Sequence, residues 1–351
     1  MRQVERHRTQ RVGWLRPALP DAHDGVSDAQ INPGLPASAG SGWSGELSAG
    51  DRSEIIAGLV GFDATISPKF FYDHAGSTLF ERITRLPEYY PTRTERAIMQ
   101  RHRREISLRI SAGKTVIELG AGNCEKGKAL CALIRPKCFI AVDISQDFLH
   151  RAVAGLQQAL PKLEVRPVVA DLMEDIVLPG DLPGGKRLVY YPGSSIGNFD
   201  PEPALALLRR VCRLVGEGGS LLIGVDLIKD QAVLEAAYND AEGVTAEFNL
   251  NALAHLNRLI GSDFDRRDWQ HVAFFNRQRS RIEMHLQASV NTRVCWPDGE
   301  RHFRRGERIH TENSYKYDVD DFARVLDSAG FKQHVFWTDP RRWFAVFYAQ
   351  V

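Results

Sequence analysis

Two acids stand at the ends of two short apolar runs. Glu118 sits within Thr115-Val-Ile-Glu-Leu119, and Asp143 closes Cys138-Phe-Ile-Ala-Val-Asp143; a glycine-bracketed turn, Gly120-Ala-Gly122, follows the first. Read as neighbouring parallel strands, these ends form a crevice of the kind that takes nucleoside-bearing ligands. Glycine lets the backbone approach a ligand closely, and an acid at the second strand end can accept hydrogen bonds from both ribose hydroxyls. The pattern is E-x-G-x-G, not G-x-G-x-x-G, and no G-K-[ST] follows. It therefore points away from dinucleotides and ATP and toward S-adenosylmethionine. A third strand, Val168-Val-Ala-Asp-Leu172, places Asp171 to bond the adenine amino group and Leu172 to pack on the ring. Lys126 falls in the first turn of the following helix, where the helix dipole does not favour a cation. It is either a solvated lysine or a contact for the cofactor's methionine carboxylate.

The acceptor side has its own candidates. Pro192-Gly-Ser-Ser-Ile-Gly-Asn198 follows the fourth strand, where a class I methyltransferase binds its acceptor. Gly193 offers backbone groups at close approach, and Asn198 offers both a donor and an acceptor, unless it merely caps the turn. Tyr89 and Tyr90 lie between Pro87 and Pro91 and either line a pocket or pack. Tyr238 either faces that pocket or buries its ring in a core. Ile309 to Tyr317 alternates as a strand does, so Glu312 and Ser314 share a face. A carboxylate and a hydroxyl so placed could hold the two nitrogens of an imidazole; equally, Glu312 could pair with Arg308 or Lys316 on a solvated edge. His302 and His310 have no partners at metal-ligand spacing, and no metal is expected.

The whole chain narrows the class of partner. Its 351 residues are 43% apolar and 25% charged with a formal net charge of +1, so no global field recruits nucleic acid or an anionic membrane. A small polar substrate fits better. Five cysteines without a C-x-x-C pair suggest reduced thiols in a cytoplasm, and no apolar run approaches the roughly 20 residues of a membrane span. The Arg-rich opening is not followed by the apolar stretch of a secretory leader.

These residues need a scaffold. From 115 to about 230, strands at 115–119, 138–143, 164–170, 187–192 and 220–226 alternate with helices at 125–135, 146–159 and 201–215. This predicts right-handed βαβ units and a parallel sheet with helices on both faces, an α/β Rossmann-like class I methyltransferase sheet. Residues 1–50 read as a flexible extension, with the fold starting near Ser53. Residues 51–112 read as a helical part of a substrate lobe, with helix starts at Ser77 and Thr94 and a loop over 86–93. The cofactor domain is expected at 113–235, an insertion completing the lobe at 236–312, and a return to the α/β domain at 313–351. Within the insertion, 231–260 reads as a helix and 270–277, 280–291 and 303–310 as strands. A helix at 318–329 and strands at 332–338 and 343–349 close the chain.

Taken in order, several runs resemble the ergothioneine-pathway L-histidine Nα-methyltransferases from about Ser67 onward. They are Phe71-Tyr-Asp73 with Gly76-Ser77, Leu86-Pro-Glu-Tyr-Tyr-Pro-Thr-Arg-Thr-Glu95, Glu118-Leu-Gly-Ala-Gly122, Tyr191-Pro-Gly-Ser-Ser-Ile-Gly-Asn-Phe199, Tyr238 to Asn249, and Thr311-Glu-Asn-Ser314. The resemblance implies that Gly120, Lys126, Asp143, Asp171 and Leu172 hold S-adenosylmethionine. It implies that Tyr89, Asn198 and Tyr238 hold the amino acid with Gly193 near its amine, and that Glu312 and Ser314 clasp the imidazole. Three methyl transfers to the α-amine would give hercynine, with Tyr72 or Tyr89 orienting the amine or passing on its proton. The rival expectations are a relative acting on another amino acid or an indole amine, and a non-catalytic S-adenosylmethionine-binding protein. A pocket complete in one chain is compatible with a monomer.

Overall fold

The computed structural model describes residues 49–110 and 112–351, so the expectation for the first 48 residues lies outside it. In chain order, α1 (Ala49–Val60) and β1 (Ala64–Thr65) are followed by α2 (His74–Ile83), α3 (Tyr90–Arg101) and α4 (Arg103–Arg109). The alternating stretch is β2 (Thr115–Leu119), α5 (Glu125–Ile134), β3 (Cys138–Asp143), α6 (Gln146–Ala159), β4 (Glu164–Val169), β5 (Arg187–Tyr191), α7 (Pro201–Val215) and β6 (Ser220–Asp226). Next come α8 (Gln231–Tyr238), α9 (Val244–Ile260), β7 (Trp269–Asn276), β8 (Arg281–Ala288), β9 (Thr292–Trp296), β10 (Gly299–Phe303) and β11 (Arg308–Tyr315). The chain ends in α10 (Val319–Ala329), β12 (Gln333–Thr338) and β13 (Phe344–Gln350).

The larger sheet has the order β12-β13-β6-β5-β2-β3-β4, parallel except for β13, which runs antiparallel to both neighbours. Its central strands are apolar on both sides because helices cover both faces. Leu207, Leu208 and Val211 of α7 with Phe322 and Leu326 of α10 pack on one face. Ile98 of α3, Ile106 of α4, Leu130 of α5 and Leu149 of α6 pack on the other. The predicted doubly covered α/β sheet is therefore present, and all five predicted strands of the alternating stretch appear within two residues of their expected bounds.

A smaller sheet, β1-β11-β8-β7, carries the second lobe. It rests on α9 through Leu253, Leu256, Leu286 and Ile309, and on α2, α8 and α9 through Ile83, Leu234, Phe248 and Met284. Here the structure corrects the sequence reading in several places. The second helix starts at His74, not Ser77, because Asp73 caps it by accepting from Gly76 N at 2.7 Å. The third starts at Tyr90, not Thr94, since proline is tolerated in a first helical turn and Pro91 sits there. The single helix expected over 231–260 breaks at 239–243, where Asp240 turns its carboxylate onto the Val244 and Thr245 amides at 2.8 Å and Gly243 takes φ +71°. The strand expected over 303–310 straddles a turn through Gly306 at φ +87°, and the β9–β10 hairpin was not foreseen. The expected lobe boundaries at 235/236 and 312/313 fall inside α8 and β11.

The turn Ser195–Asn198 packs directly on β11: a Cβ added at Gly197 would stand 2.7 Å from the Tyr315 carbonyl oxygen. Gly197→Ala should therefore destabilise the fold by about 1–3 kcal/mol. In contrast, a Cβ at Gly155, in the middle of α6, meets nothing within 4 Å, and Gly155→Ala should stabilise by about 0.5–1 kcal/mol. Urea unfolding of both variants checks the opposite signs.

Candidate active site

The β2–α5 turn is shaped for a ligand. Gly120 and Gly122 take φ of +63° and +50°, and a Cβ built on either would meet nothing within 4 Å. Backbone conformation demands glycine there while the adjoining space stays open. Asp143, at the end of β3, accepts from Gly122 N at 2.9 Å and Ser145 N at 3.0 Å. Burial raises its carboxyl above the usual range, against the lowering effect of these amides. One strand further out, Asp171 accepts from Met173 N at 2.8 Å, and Leu172 packs at the margin of the core under α7. These five residues lie at or just beyond the carboxyl ends of β2, β3 and β4.

Lys126 is not freely solvated. Its ammonium pairs with Glu95 of α3 at 2.7 Å. Glu95 is 2% exposed and also accepts from Gly193 N at 3.0 Å. Its carboxylate reaches over β6 because Gly224 has no side chain there; a Cβ would stand 2.3 Å from Oε1. Glu95 thus ties the first turn of α5 to the loop after β5, a link that the sequence reading did not assign.

On the other side, Asn198 Nδ2 donates to Glu312 Oε1 at 3.0 Å, and the Tyr238 hydroxyl lies 2.7 Å from Ser314 Oγ. Glu312 is 7% exposed, and burial pushes its carboxyl up to about 7 although Lys316 pulls it down. The solvated-edge alternative therefore fails: Arg308 bonds Gln287 instead, and Lys316 is itself buried. The Tyr89 ring meets Tyr238 edge-on at 6.3 Å and Phe80 at 6.5 Å, while Tyr72 packs against Phe80 and Phe248, both at 5.8 Å. Burial raises the Tyr72 phenol well above its ordinary value, and Glu312, Tyr89 and Asp143 add to the rise. Tyr72 lines a cavity together with Ile144 and Ser145, the two residues that follow Asp143. Tyr89 is likewise raised, first by burial and then by Tyr238. Both phenols keep their protons at neutral pH.

Beneath this layer lies a second set of polar residues that sequence reasoning missed. Asp226, at the end of β6, accepts from Tyr90 at 2.7 Å and pairs with Lys229 at 2.6 Å and Lys316 at 3.0 Å. The same acid-at-a-strand-end signal that marked Asp143 was present in Ser220-Leu-Leu-Ile-Gly-Val-Asp226. Tyr90 is thus a buried support, whereas Tyr89 packs edge-on against Tyr238 and Phe80. Among the described residues no cluster of His, Cys, Asp and Glu could hold a metal ion, and no helix is long and apolar enough to cross a membrane.

Replacing Glu95 with alanine should cost about 1–3 kcal/mol, less than a fully buried pair because Lys126 is one-third exposed. Glu95→Gln, which still accepts from Gly193 N, should cost about half as much; equal losses in urea unfolding would assign the effect to the ion pair alone.

Comparison with known proteins adds a family. Residues 51–351 match the family described as histidine-specific methyltransferase, SAM-dependent. A histidine N-alpha-methyltransferase of Mycolicibacterium smegmatis is 40% identical over 296 residues, covering 82% of this chain and 91% of that protein. Its namesake in Mycobacterium tuberculosis is 38% identical, with 82% and 91% covered. Ergothioneine biosynthesis protein 1 of Neurospora crassa is 32% identical over 277 residues, covering 76% of this chain and 31% of that longer protein.

Proposed function

The chain belongs to the S-adenosylmethionine-dependent histidine-specific methyltransferases, and we propose that it trimethylates the α-amine of L-histidine to give hercynine, the first step toward ergothioneine. The observation that carries this reading is geometric: Tyr72 lines one cavity with Ile144 and Ser145, which directly follow Asp143, while Asn198 and Glu312 bond at 3.0 Å and Tyr238 and Ser314 at 2.7 Å on the acceptor side. The open space beside Gly120 and Gly122 fits S-adenosylmethionine, with Asp143 toward the ribose, Asp171 and Leu172 toward the adenine, and Lys126 near the methionine end.

S-adenosylmethionine, when bound, supplies an already activated methyl group, so alignment and exclusion of water are the protein's main tasks. Tyr89, Asn198 and Tyr238 hold the amino acid, and Gly193 lies near its amine. Glu312 and Ser314 take the two imidazole nitrogens, since one can accept and the other donate. Each transfer replaces one N–H by N–CH3 and releases one proton. Tyr72 and Tyr89, being neutral phenols, orient the amine and pass that proton on rather than abstract it outright. After the third transfer, the aromatic faces of Tyr72, Tyr89 and Phe80 can hold the fixed cation.

Buried Glu312 and Ser314 favour an imidazole, with one ring donor and one ring acceptor, over an indole, which has a donor alone. A protein that only senses the cofactor has no need of this second set of polar side chains. We further propose that the protein acts as a cytoplasmic monomer on free histidine and its mono- and dimethyl forms, with no nucleic-acid or membrane partner.

Incubation with histidine and S-adenosylmethionine should give a product heavier by three methyl groups in mass spectrometry. Tryptophan methylated in preference to histidine would sink the substrate assignment. Glu312 holds its proton below about pH 7 and becomes an acceptor above it. The KM for histidine should therefore fall as pH rises from about 6 to 8, and Glu312→Gln should lose that inflection. Persistence of the inflection in the variant would assign it to another group.

A further inference from the structure

Two of the contacts assigned above, Ser314 and Tyr238, are hydroxyls, and a hydroxyl can donate or accept with equal ease. What fixes their direction is the residue behind them. Lys316 follows Ser314 by two positions on the strand that carries Glu312, and its side chain is 0% exposed. Its ammonium lies 2.7 Å from Ser314 Oγ, 3.0 Å from the Tyr238 hydroxyl and 3.0 Å from Asp226 Oδ2. An ammonium has three protons and no acceptor, so these three contacts use all of its capacity. It also sits 4.7 Å above the Tyr238 ring.

The proton count around the pair then closes. Ser314 and Tyr238 bond each other at 2.7 Å with one of their two protons, and each accepts one bond from Lys316. One hydroxyl proton is left over, and it points away from Lys316. If Tyr238 donates to Ser314, the spare proton is on Ser314; if Ser314 donates, it is on Tyr238. In either case the pair faces the ligand as a net donor. Next to it, Glu312 Oε1 accepts a hydrogen bond from Asn198 Nδ2, which leaves its other oxygen for a ligand. Charge runs in the same sense: Asp226 is flanked by Lys316 and by Lys229, which also bonds Tyr90 at 2.7 Å. Two ammonium groups around one carboxylate leave a positive cluster that touches Tyr238 through Lys316.

We propose that Lys316, held in place by Asp226, is a positioning residue for amino-acid recognition: it polarises Ser314 and Tyr238 so that the pair donates one hydrogen bond to the substrate. This inference rests on the histidine reading above and adds to it the polarity of the site. The pocket should select a ligand that offers an acceptor to the Ser314–Tyr238 pair and a donor to Glu312, which a neutral imidazole with an adjoining carboxylate does. A ring lacking the acceptor nitrogen leaves the spare proton unsatisfied in a buried site.

The test is a coupling measurement. Lys316→Met keeps the length and burial of the side chain while removing its protons and charge. It should raise the KM for histidine about ten-fold or more, with the dissociation constant for S-adenosylmethionine, from calorimetry, within about two-fold of wild type. In a Tyr238→Phe/Ser314→Ala background the same substitution should add less than about two-fold, because the groups it acts through are gone. An unchanged KM, or an equal further loss in both backgrounds, overturns the inference. Should Lys316→Met fail to fold because Asp226 is left with too little compensation, Lys316→Met/Asp226→Asn is read by the same criteria. Failure of both to give a folded circular-dichroism spectrum places Lys316 in folding rather than recognition and also overturns it. The wild-type control keeps the two readings apart: an inactive wild type counts against histidine methylation, whereas an active one with an unaffected variant counts against Lys316 alone.

Discussion

Two carboxylates, Asp226 on the larger sheet and Glu312 on the smaller one, are carried into a volume closed to water, 1% and 7% exposed. A buried acid must find donors or give up its charge. The two take different courses. Burial alone would raise the Asp226 carboxyl, but Lys316 and Lys229 hold it below its ordinary range. Glu312, with only Asn198 as a direct donor, is pushed up to about 7. One is a permanently charged support; the other stays poised to take a partner from outside.

That division explains the layering of the site. Tyr90, Asp226, Lys229 and Lys316 form a lower layer in which both ammonium groups and the Tyr90 hydroxyl bond Asp226. Tyr89, Asn198, Tyr238, Glu312 and Ser314 form an upper layer with unused hydrogen-bonding capacity. Lys316 belongs to the lower layer and reaches into the upper one, so the rigidity of the first can set the direction of the second. On the cofactor side Glu95 plays an analogous part, tying Lys126 and the Gly193 amide to a helix of the core. Both devices depend on contacts between residues distant in sequence, Glu95 with Gly193 and Asp226 with Lys316.

This separation decides what could be read in the chain. The strands and helices from Thr115 to Asp226 follow local rules, with apolar runs, glycine turns and an acid at a strand end, and they were legible almost residue for residue. The lobe was less so. Asp73 and Asp240 redirect helices through side-chain bonds to backbone amides, and the β9–β10 hairpin carries polar residues that mimic a loop. Gly120, Asp143, Glu312 and Ser314 could be nominated because their chemistry is visible in type and spacing. Lys316 was visible only as a cation near Glu312, since its burial follows from how the two sheets meet. Glu95 lay inside a run that marked the family but gave no sign that Gly224 would leave room for it.

The central claim is that one cavity seats an amino acid between Glu312 and Ser314 with its amine directed at the crevice of Gly120 and Asp143. A crystal structure with histidine and S-adenosylhomocysteine tests it most directly. The imidazole should lie between the Glu312 carboxylate and the Ser314 hydroxyl, with the α-nitrogen beside Tyr72 and facing the cofactor sulfur. Histidine bound elsewhere, or with its amine turned away from that sulfur, would contradict the account.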